Sequence, residues 1–344
     1  MKTMETLSPS RIMTAVQCSR KHFWRYEVGL TPAVDAQPLR FGKAFHAALA
    51  TRAAGKSYDE SLAAAVGEAP MAELDIVILT ALFAGYCQRY QQDIIVKMFP
   101  EVQLVVAMPY NRHFQAVHIV DGLAELADGR IALCEHKTTS ESLADDSDYW
   151  QSIRFQVQPI SYMDAARQNG WDVSTLLWDA VRKPSIAPKQ VAVLDETGKK
   201  IVLDAAGQRM FKKDSTPRES GDAEKGYVVQ VTEETPEQFG ERLAADIAER
   251  PEFYYARREI PILSDDITEF TAMRDCVARQ IVSCRKEQAR YEKPENAWPR
   301  NVGKFSCQTC DFSSFCLQNI SASRTSIPSG FKMKEVVTTE EGAK

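Results

Sequence analysis

Short apolar runs span residues 117–126 and 130–137, broken by the polar positions His118, Asp121 and Glu125 in the first and Arg130, Glu135, His136 and Lys137 in the second, with Ala127-Asp128-Gly129 between them. An Asp-Gly pair between such runs is a strong hairpin signal, because glycine adopts the positive φ that such turns need. A three-residue loop at 127–129 would pair Leu126 with Arg130 and, further along the ladder, Asp121 with Glu135. Lys137 then falls on the same face. A two-residue turn would slip the register by one and send Glu135 to the opposite face.

Around this hairpin the periodicity predicts an α/β chain. Ser8-Pro9 starts a helix running to Cys18, and a second helix covers 40–49. Helix then extends from 57 to about 99 with a break near Ala69-Pro70, and a strand at 101–109 leads into the hairpin. A helix at 149–169 ends at Gly170 and is followed by a buried strand at 173–181. Residues 184–226 are turn-rich, with one small hairpin of 190–194 against 200–203, and no internal repeat is expected. A strand at 228–231, a helix at 235–249 capped by Thr235, a strand at 253–260 and an amphipathic helix at 265–291 follow. Residues 321–344 have few large apolar side chains and read as disordered.

At 344 residues, 44% apolar and 26% charged, the chain has the make-up of an ordinary globular protein of one large domain or two modest ones. No run approaches the ~18 apolar residues of a membrane span and the N-terminus lacks a secretory pattern, so a cytosolic location is expected. The formal net charge of -5 argues against a coat-like nucleic-acid binder but leaves room for an enzyme with a local basic groove.

Asp121, Glu135 and Lys137 give the hairpin its candidate chemistry. Two carboxylates about 5 Å apart repel unless a cation or a shared proton intervenes. One or two carboxylates completed by water suit Mg²⁺, and a neighbouring lysine can orient an attacking water or stabilise charge on a phosphate. A surface hairpin with a salt bridge would use the same residues, so the three alone do not decide. Two further features carry double readings. Arg20, Lys21, Phe23, Trp24, Arg25 and Tyr26 suit either a nucleic-acid surface or a helix packed by its aromatics. His46, among alanines and phenylalanine, reads by itself as a core histidine rather than a ligand.

Eight cysteines in such a chain point to metal binding or core packing rather than disulfides. Cys307-x2-Cys310-x5-Cys316 offers three thiols, one short of the four ligands that structural Zn²⁺ and iron-sulfur clusters take. Cys134 lies on the hairpin, Cys276 and Cys284 share a helix face, and Cys87 sits in an alanine-rich helix, all places where a small hydrophobe is ordinary. Cys18, beside Arg20 and Lys21, is where a thiolate is easiest to stabilise and is the best fourth ligand.

Taken in order, Cys18, Gly42-x3-His46, Asp121, Glu135-x-Lys137, Gln158-x3-Tyr162 and the three C-terminal cysteines make the chain resemble the PD-(D/E)XK nuclease superfamily from about Ser8 to Cys316. It is most similar to the RecB-type and CRISPR-associated exonucleases that carry an iron-sulfur cluster, and more closely to phage-encoded members. The resemblance implies a restriction-endonuclease-like mixed central sheet flanked by helices. With it the chain divides into an N-terminal helical segment (1–36), a nuclease core (37–183), an insertion loop (184–226), a C-terminal helical and strand part (227–300), a cysteine cluster (301–320) and the tail (321–344).

The resemblance further implies that His46, Asp121, Glu135 and the main-chain carbonyl of His136 hold Mg²⁺ or Mn²⁺. Lys137 would position the attacking water, and Gln158 and Tyr162 would brace the site or touch the DNA backbone. Cys18, Cys307, Cys310 and Cys316 would bind a structural [4Fe-4S] cluster joining the N- and C-terminal segments. Val120 stands where the family motif has proline. The implied activity is exonucleolytic hydrolysis of single-stranded or duplex DNA from its ends, leaving 5′-phosphates, with room for a recombinase or other protein partner in recombination or repair. Two other classes fit parts of the pattern: a non-catalytic DNA-binding subunit that keeps an iron-sulfur or zinc cluster, and a zinc-stapled interaction protein with an incidental hairpin.

Overall fold

A computed structural model describes residues 4–334 except Gln92, Ala107, 109–112, Arg154 and Ser321. The expected strand end at Pro109 and tail positions 321 and 335–344 lie outside the described residues. Six strands form one mixed sheet: β1 (Glu5–Thr6), β2 (Ile95–Val106), β3 (Phe114–Leu126), β4 (Ile131–Thr139), β5 (Val173–Arg182) and β6 (Tyr255–Ile260). β3 pairs antiparallel with β2 on one edge and β4 on the other, and β4 runs parallel to β5. β6 closes antiparallel on β5, and β1 adds two parallel residues at the start of β3. The helix expected to reach 99 stops at Arg89, and strand begins at Ile95. Ile94, Ile95 and Val96 are β-branched, and Pro100 lies on a strand paired along one side only, where proline is tolerated.

Seven helices define the layers: α1 (Pro9–Gln17), α2 (Gln37–Ala53), α3 (Tyr58–Glu68), α4 (Glu73–Arg89), α5 (Val157–Gln168), α6 (Pro236–Glu249) and α7 (Ser264–Glu287). On one face of the sheet α5 buries Tyr162, Met163 and Ala166 against Val120, Leu133, Leu176 and Trp178. The buried Arg274 of α7 meets Asp164 of α5 at 3.2 Å and ties these two helices together. On the other face α2, α4 and α6 bury Phe41, Phe45, Phe83 and Leu243 with Val181 and Tyr255. Each fully buried large apolar side chain stabilises by ~1.5–3 kcal/mol, so packing more than helix propensity sets these layers.

The expected helix 149–169 is two, Asp148–Ile153 and α5. Pro159 has no N–H to donate and its ring crowds the carbonyl four residues back, so a continuous helix cannot cross this point. Gly170, at φ +84°, ends α5 as expected.

Beyond β5 the chain makes an arm instead of an open loop. Gln190–Ala192 pairs with Val231–Glu233, and Val202–Leu203 with Val228–Val229. Three successive turns share one geometry: the N–H groups of Gly198, Gly207 and Ser215 donate to the carbonyls of Asp195, Asp204 and Lys212 at 2.9, 3.0 and 3.0 Å. The three donors have φ of 78°, 77° and 62°. The chain therefore does contain a short hairpin repeat, contrary to the expectation of none, and it is written in the sequence as Val193-Leu194-Asp195-x2-Gly198 and, nine residues on, Val202-Leu203-Asp204-x2-Gly207.

The two ends of the chain meet. Cys18 separates α1 from the following helical turn with an extended backbone, φ -164° and ψ 114°. Asn301 Nδ2 donates to Gln17 O at 2.8 Å, and Arg20 Nε to Trp298 O at 2.9 Å. Phe23 and Trp24 are buried, so the aromatics of this segment pack. Part of the expected disordered tail is ordered, since Phe331–Met333 pairs with Leu30–Pro32. Phe331 supplies the reason, with ring centres 5.5 Å from Phe312 and 4.9 Å from Phe315. Among the described residues no helix is long and apolar enough to cross a membrane.

Candidate active site

The hairpin closes through a three-residue loop. Leu126 N–H donates to Arg130 O and Gly129 N–H to Leu126 O, both at 2.9 Å, with Gly129 at φ +85°. The ladder pairs Glu125 with Ile131, Leu123 with Leu133 and Gly122 with Cys134. Its next step sets Asp121 beside Glu135, and there the main-chain N–H of His136 donates to Asp121 Oδ2 at 2.8 Å.

Helices from both faces of the sheet complete the site. α2 passes close to β4, where a Cβ on Gly42 would lie 3.5 Å from Thr138 Oγ1, and it brings His46 Nδ1 to 3.3 Å from Asp121 Oδ1. α5 supplies Gln158 and Tyr162, one turn apart. Lys137 Nζ donates to Gln158 Oε1 at 3.1 Å, and Gln158 Nε2 to the Tyr162 hydroxyl at 2.8 Å. Lys137 Nζ also pairs with Glu135 Oε1. Glu135 is fully buried, and its Oε2 finds no hydrogen-bond partner among the described residues. His46, Asp121, Glu135, Lys137, Gln158 and Tyr162 thus converge, and Tyr162 is buried behind Gln158 as a brace.

The two carboxylates are poised oppositely. Burial works to raise the Asp121 carboxyl, but the hydrogen bond and charge of His46, joined by the His136 amide, hold it at about 2. Burial disfavours a charged His46, yet Asp121 outweighs this and raises the imidazole. Glu135 is pushed up by burial, with Lys137 opposing and the Asp121 charge adding. A buried carboxylate oxygen without a partner, beside a second carboxylate and an imidazole, is a donor set that fits Mg²⁺ or Mn²⁺. Among the described residues no three His, Cys, Asp or Glu side chains are drawn together tightly enough to hold a metal as they stand. Lys137 and His46 each engage one carboxylate oxygen of the pair.

A row of polar groups behind the hairpin is absent from the sequence reading. His136, Asp179 and Arg257 face one another across β4, β5 and β6. Asp179 Oδ2, fully enclosed, accepts from His136 Nδ1 at 2.8 Å, from Arg257 Nη2 at 3.2 Å and from the Tyr86 hydroxyl of α4. Arg257 Nη1 reaches Asp93 Oδ1 at 2.6 Å. The available signal was an acid inside the apolar run 173–181, because a buried charge needs partners. His118, buried with its ring 5.5 Å from that of Tyr162, was missed in the same way.

Cys18, Cys307, Cys310 and Cys316, each half-buried, gather where the chain ends meet. Burial pushes the thiols of Cys310 and Cys316 up; Cys18 acts electrostatically on both, and Cys307 acts on Cys316. Lys21, Arg20 and Arg300 oppose these shifts with positive charge. Four neighbouring thiols in basic surroundings fit a four-thiolate centre, although the sulfurs do not enclose one as they stand.

No curated protein matches the chain. A solved structure from Eubacterium rectale, provisionally called an exonuclease, aligns at 10% identity over 90% of this chain and 87% of its own, with a TM-score of 0.43. A second, known as SSO0001, aligns at 10% identity over 93% and 90%, with a TM-score of 0.34. The sequence model of the PD-(D/E)XK nuclease superfamily matches residues 6–317. That span takes in the hairpin, the helices carrying His46 and Gln158, and all four gathered cysteines, and the chain belongs to the PD-(D/E)XK nuclease superfamily.

Proposed function

We propose that this nuclease is a divalent-metal-dependent DNA exonuclease that hydrolyses phosphodiester bonds from DNA ends, in end resection for recombination or repair. The observation that supports it most is the buried Glu135 Oε2 without a partner, across the hairpin from Asp121 and beside Lys137. An unsatisfied buried acceptor costs ~1–3 kcal/mol, a cost that a cation bound between Glu135 and Asp121 would offset. His46, Asp121, Glu135 and the His136 carbonyl are the groups that would hold Mg²⁺ or Mn²⁺. When bound there, the cation supplies Lewis-acid polarisation of the scissile phosphate and acidifies the attacking water.

The chain's own residues orient the reaction. Asp121 is ionised at neutral pH and keeps His46 turned toward the site. Lys137 holds its ammonium between Glu135 and Gln158, from where it can swing to a non-bridging phosphate oxygen or align water. Gln158 restrains that ammonium through its carbonyl oxygen, and Tyr162 restrains the Gln158 amide. Burial raises Tyr162, so it stays a hydroxyl and serves as a fixed post.

The thiol grouping supports a structural [4Fe-4S] cluster on Cys18, Cys307, Cys310 and Cys316. Brown colour and broad visible absorbance in anaerobically purified protein test this, and colourless protein with bound zinc would replace iron by zinc. Digestion of end-labelled single- and double-stranded DNA with Mg²⁺ or Mn²⁺ tests the activity. Asp121→Ala and Lys137→Ala should each lose about 10²-fold or more; undiminished activity in both would overturn the assigned site. Wild-type protein that binds DNA but releases no nucleotides would instead be a non-catalytic DNA-binding subunit.

A further inference from the structure

The row His136, Asp179, Arg257 lies directly behind the acidic pair. Glu135 and Lys137 point to the α5 face of β4, and by strand alternation His136 points to the other. Its ring therefore serves the opposite face, where Nδ1 meets Asp179 Oδ2 at 2.8 Å. Its main chain serves the site, where the same residue's N–H holds Asp121 Oδ2 at 2.8 Å. One residue thus links the two faces.

We propose that Asp179 is a positioning residue for the divalent-cation site, acting through the His136 side chain to fix the β4 main chain on which Asp121 and Glu135 depend. The proposal rests on the metal-site reading above. Three features argue that the anchor is rigid. Asp179 is 1% exposed and is met from three elements, by His136, Arg257 and Tyr86. Arg257 is itself held by Asp93 and donates to the Tyr86 hydroxyl at 2.7 Å. The guanidinium also lies 3.9 Å from the centre of the Tyr90 ring. A network built only to staple the strands would be complete with Asp179 and Arg257, which already face each other across β5 and β6. Including His136 extends it to the one residue whose amide orients the first acid of the site.

Mn²⁺ binding to metal-free protein, followed by the EPR signal of free Mn²⁺ with no DNA present, tests this. Asp179→Asn cannot serve three donors with one carbonyl oxygen, and it should weaken Mn²⁺ about tenfold, in the range typical of outer partners of metal ligands. His136→Leu, which leaves Asp179 paired with Arg257, should show the same loss, and carries the test alone if Asp179→Asn does not fold. The double variant should bind no more weakly than either single variant, because the two act in series. Ile247→Ala, a core change on α6, serves as the control for lost stability and should leave Mn²⁺ affinity at the wild-type value. Wild-type affinity in His136→Leu, multiplying losses in the double variant, or an equal loss in Ile247→Ala would each overturn the positioning role. Absence of Mn²⁺ binding by the wild type would instead overturn the metal site on which it rests.

Discussion

The His136 amide donates to Asp121 at 2.8 Å across the hairpin, so the first acid of the site is held by main chain rather than by a side chain alone. Strand register therefore shapes the candidate site. Gly129 sets that register with its positive φ of 85°. Gly129→Val should cost about 1–2 kcal/mol, the strain of placing a side chain in the left-handed region. A lowered urea midpoint with unchanged slope would show it.

Glu135→Gln should stabilise the metal-free protein. Burial raises the wild-type carboxyl, so near neutral pH its ionised form works against folding. The variant should melt higher without metal and gain nothing from added Mg²⁺. Wild type should gain about 2.7 kcal/mol at a hundredfold excess of ligand over its dissociation constant. Thermal melts with and without Mg²⁺ separate the two, and a metal-induced shift that survives in the variant would remove Glu135 from the site.

Stability should fall on mild acidification. His22 and His118 are held at about 3 and about 4, first by burial and then by the charges of Arg11 and Arg274. Arg11 Nε donates to His22 Nε2 at 3.2 Å, which only a neutral imidazole can accept. Both folded values lie below that of the unfolded chain. Protons therefore bind the unfolded state preferentially, and stability present above pH ~6.5 is lost as pH falls toward the folded values. His118 alone should account for on the order of 3 kcal/mol. The difference between unfolding free energies near neutral pH and near pH ~4.5 should shrink when His118 is replaced by Gln, with the His22 contribution remaining.

Gly85→Ala should destabilise by about 1–3 kcal/mol through overpacking. A Cβ there would collide with the Tyr255 hydroxyl and lie 2.5 Å from Ile247 Cγ2. The Tyr255 hydroxyl donates to Leu82 O at 2.8 Å and has little room to retreat. Chemical denaturation measures this directly, with no loss in Mn²⁺ affinity expected because the contact lies away from the acids.

Cys18→Ser should remove the visible absorbance of anaerobically purified protein and lower its melting temperature, because the proposed cluster would join segments far apart in sequence. Cys276→Ser, at an exposed position on α7, should do neither. Retained colour in Cys18→Ser would exclude it as a ligand.

Much of this molecule follows from local rules. Apolar runs on both sides of Ala127-Asp128-Gly129 specified a hairpin, and a three-residue loop specified which side chains share a face; the ladder has that register. The Ser8-Pro9 start of α1 and the Gly170 end of α5 are equally local, resting on one capping oxygen and one positive φ. Cys-x2-Cys-x5-Cys could be read because its spacing is short.

Distance along the chain erases the rest. Sequence by itself determined that Asp121, Glu135 and Lys137 lie together, since turn chemistry and the period of a strand act over a few residues. Only tertiary structure decided that His46 of α2 reaches Asp121 and that Gln158 of α5 reaches Lys137. It also decided that Asp179 anchors His136 from the opposite face. These contacts depend on how helices dock on both faces of the sheet, and docking follows from the summed burial of many weak apolar contacts. No spacing of residues in the chain encodes that sum.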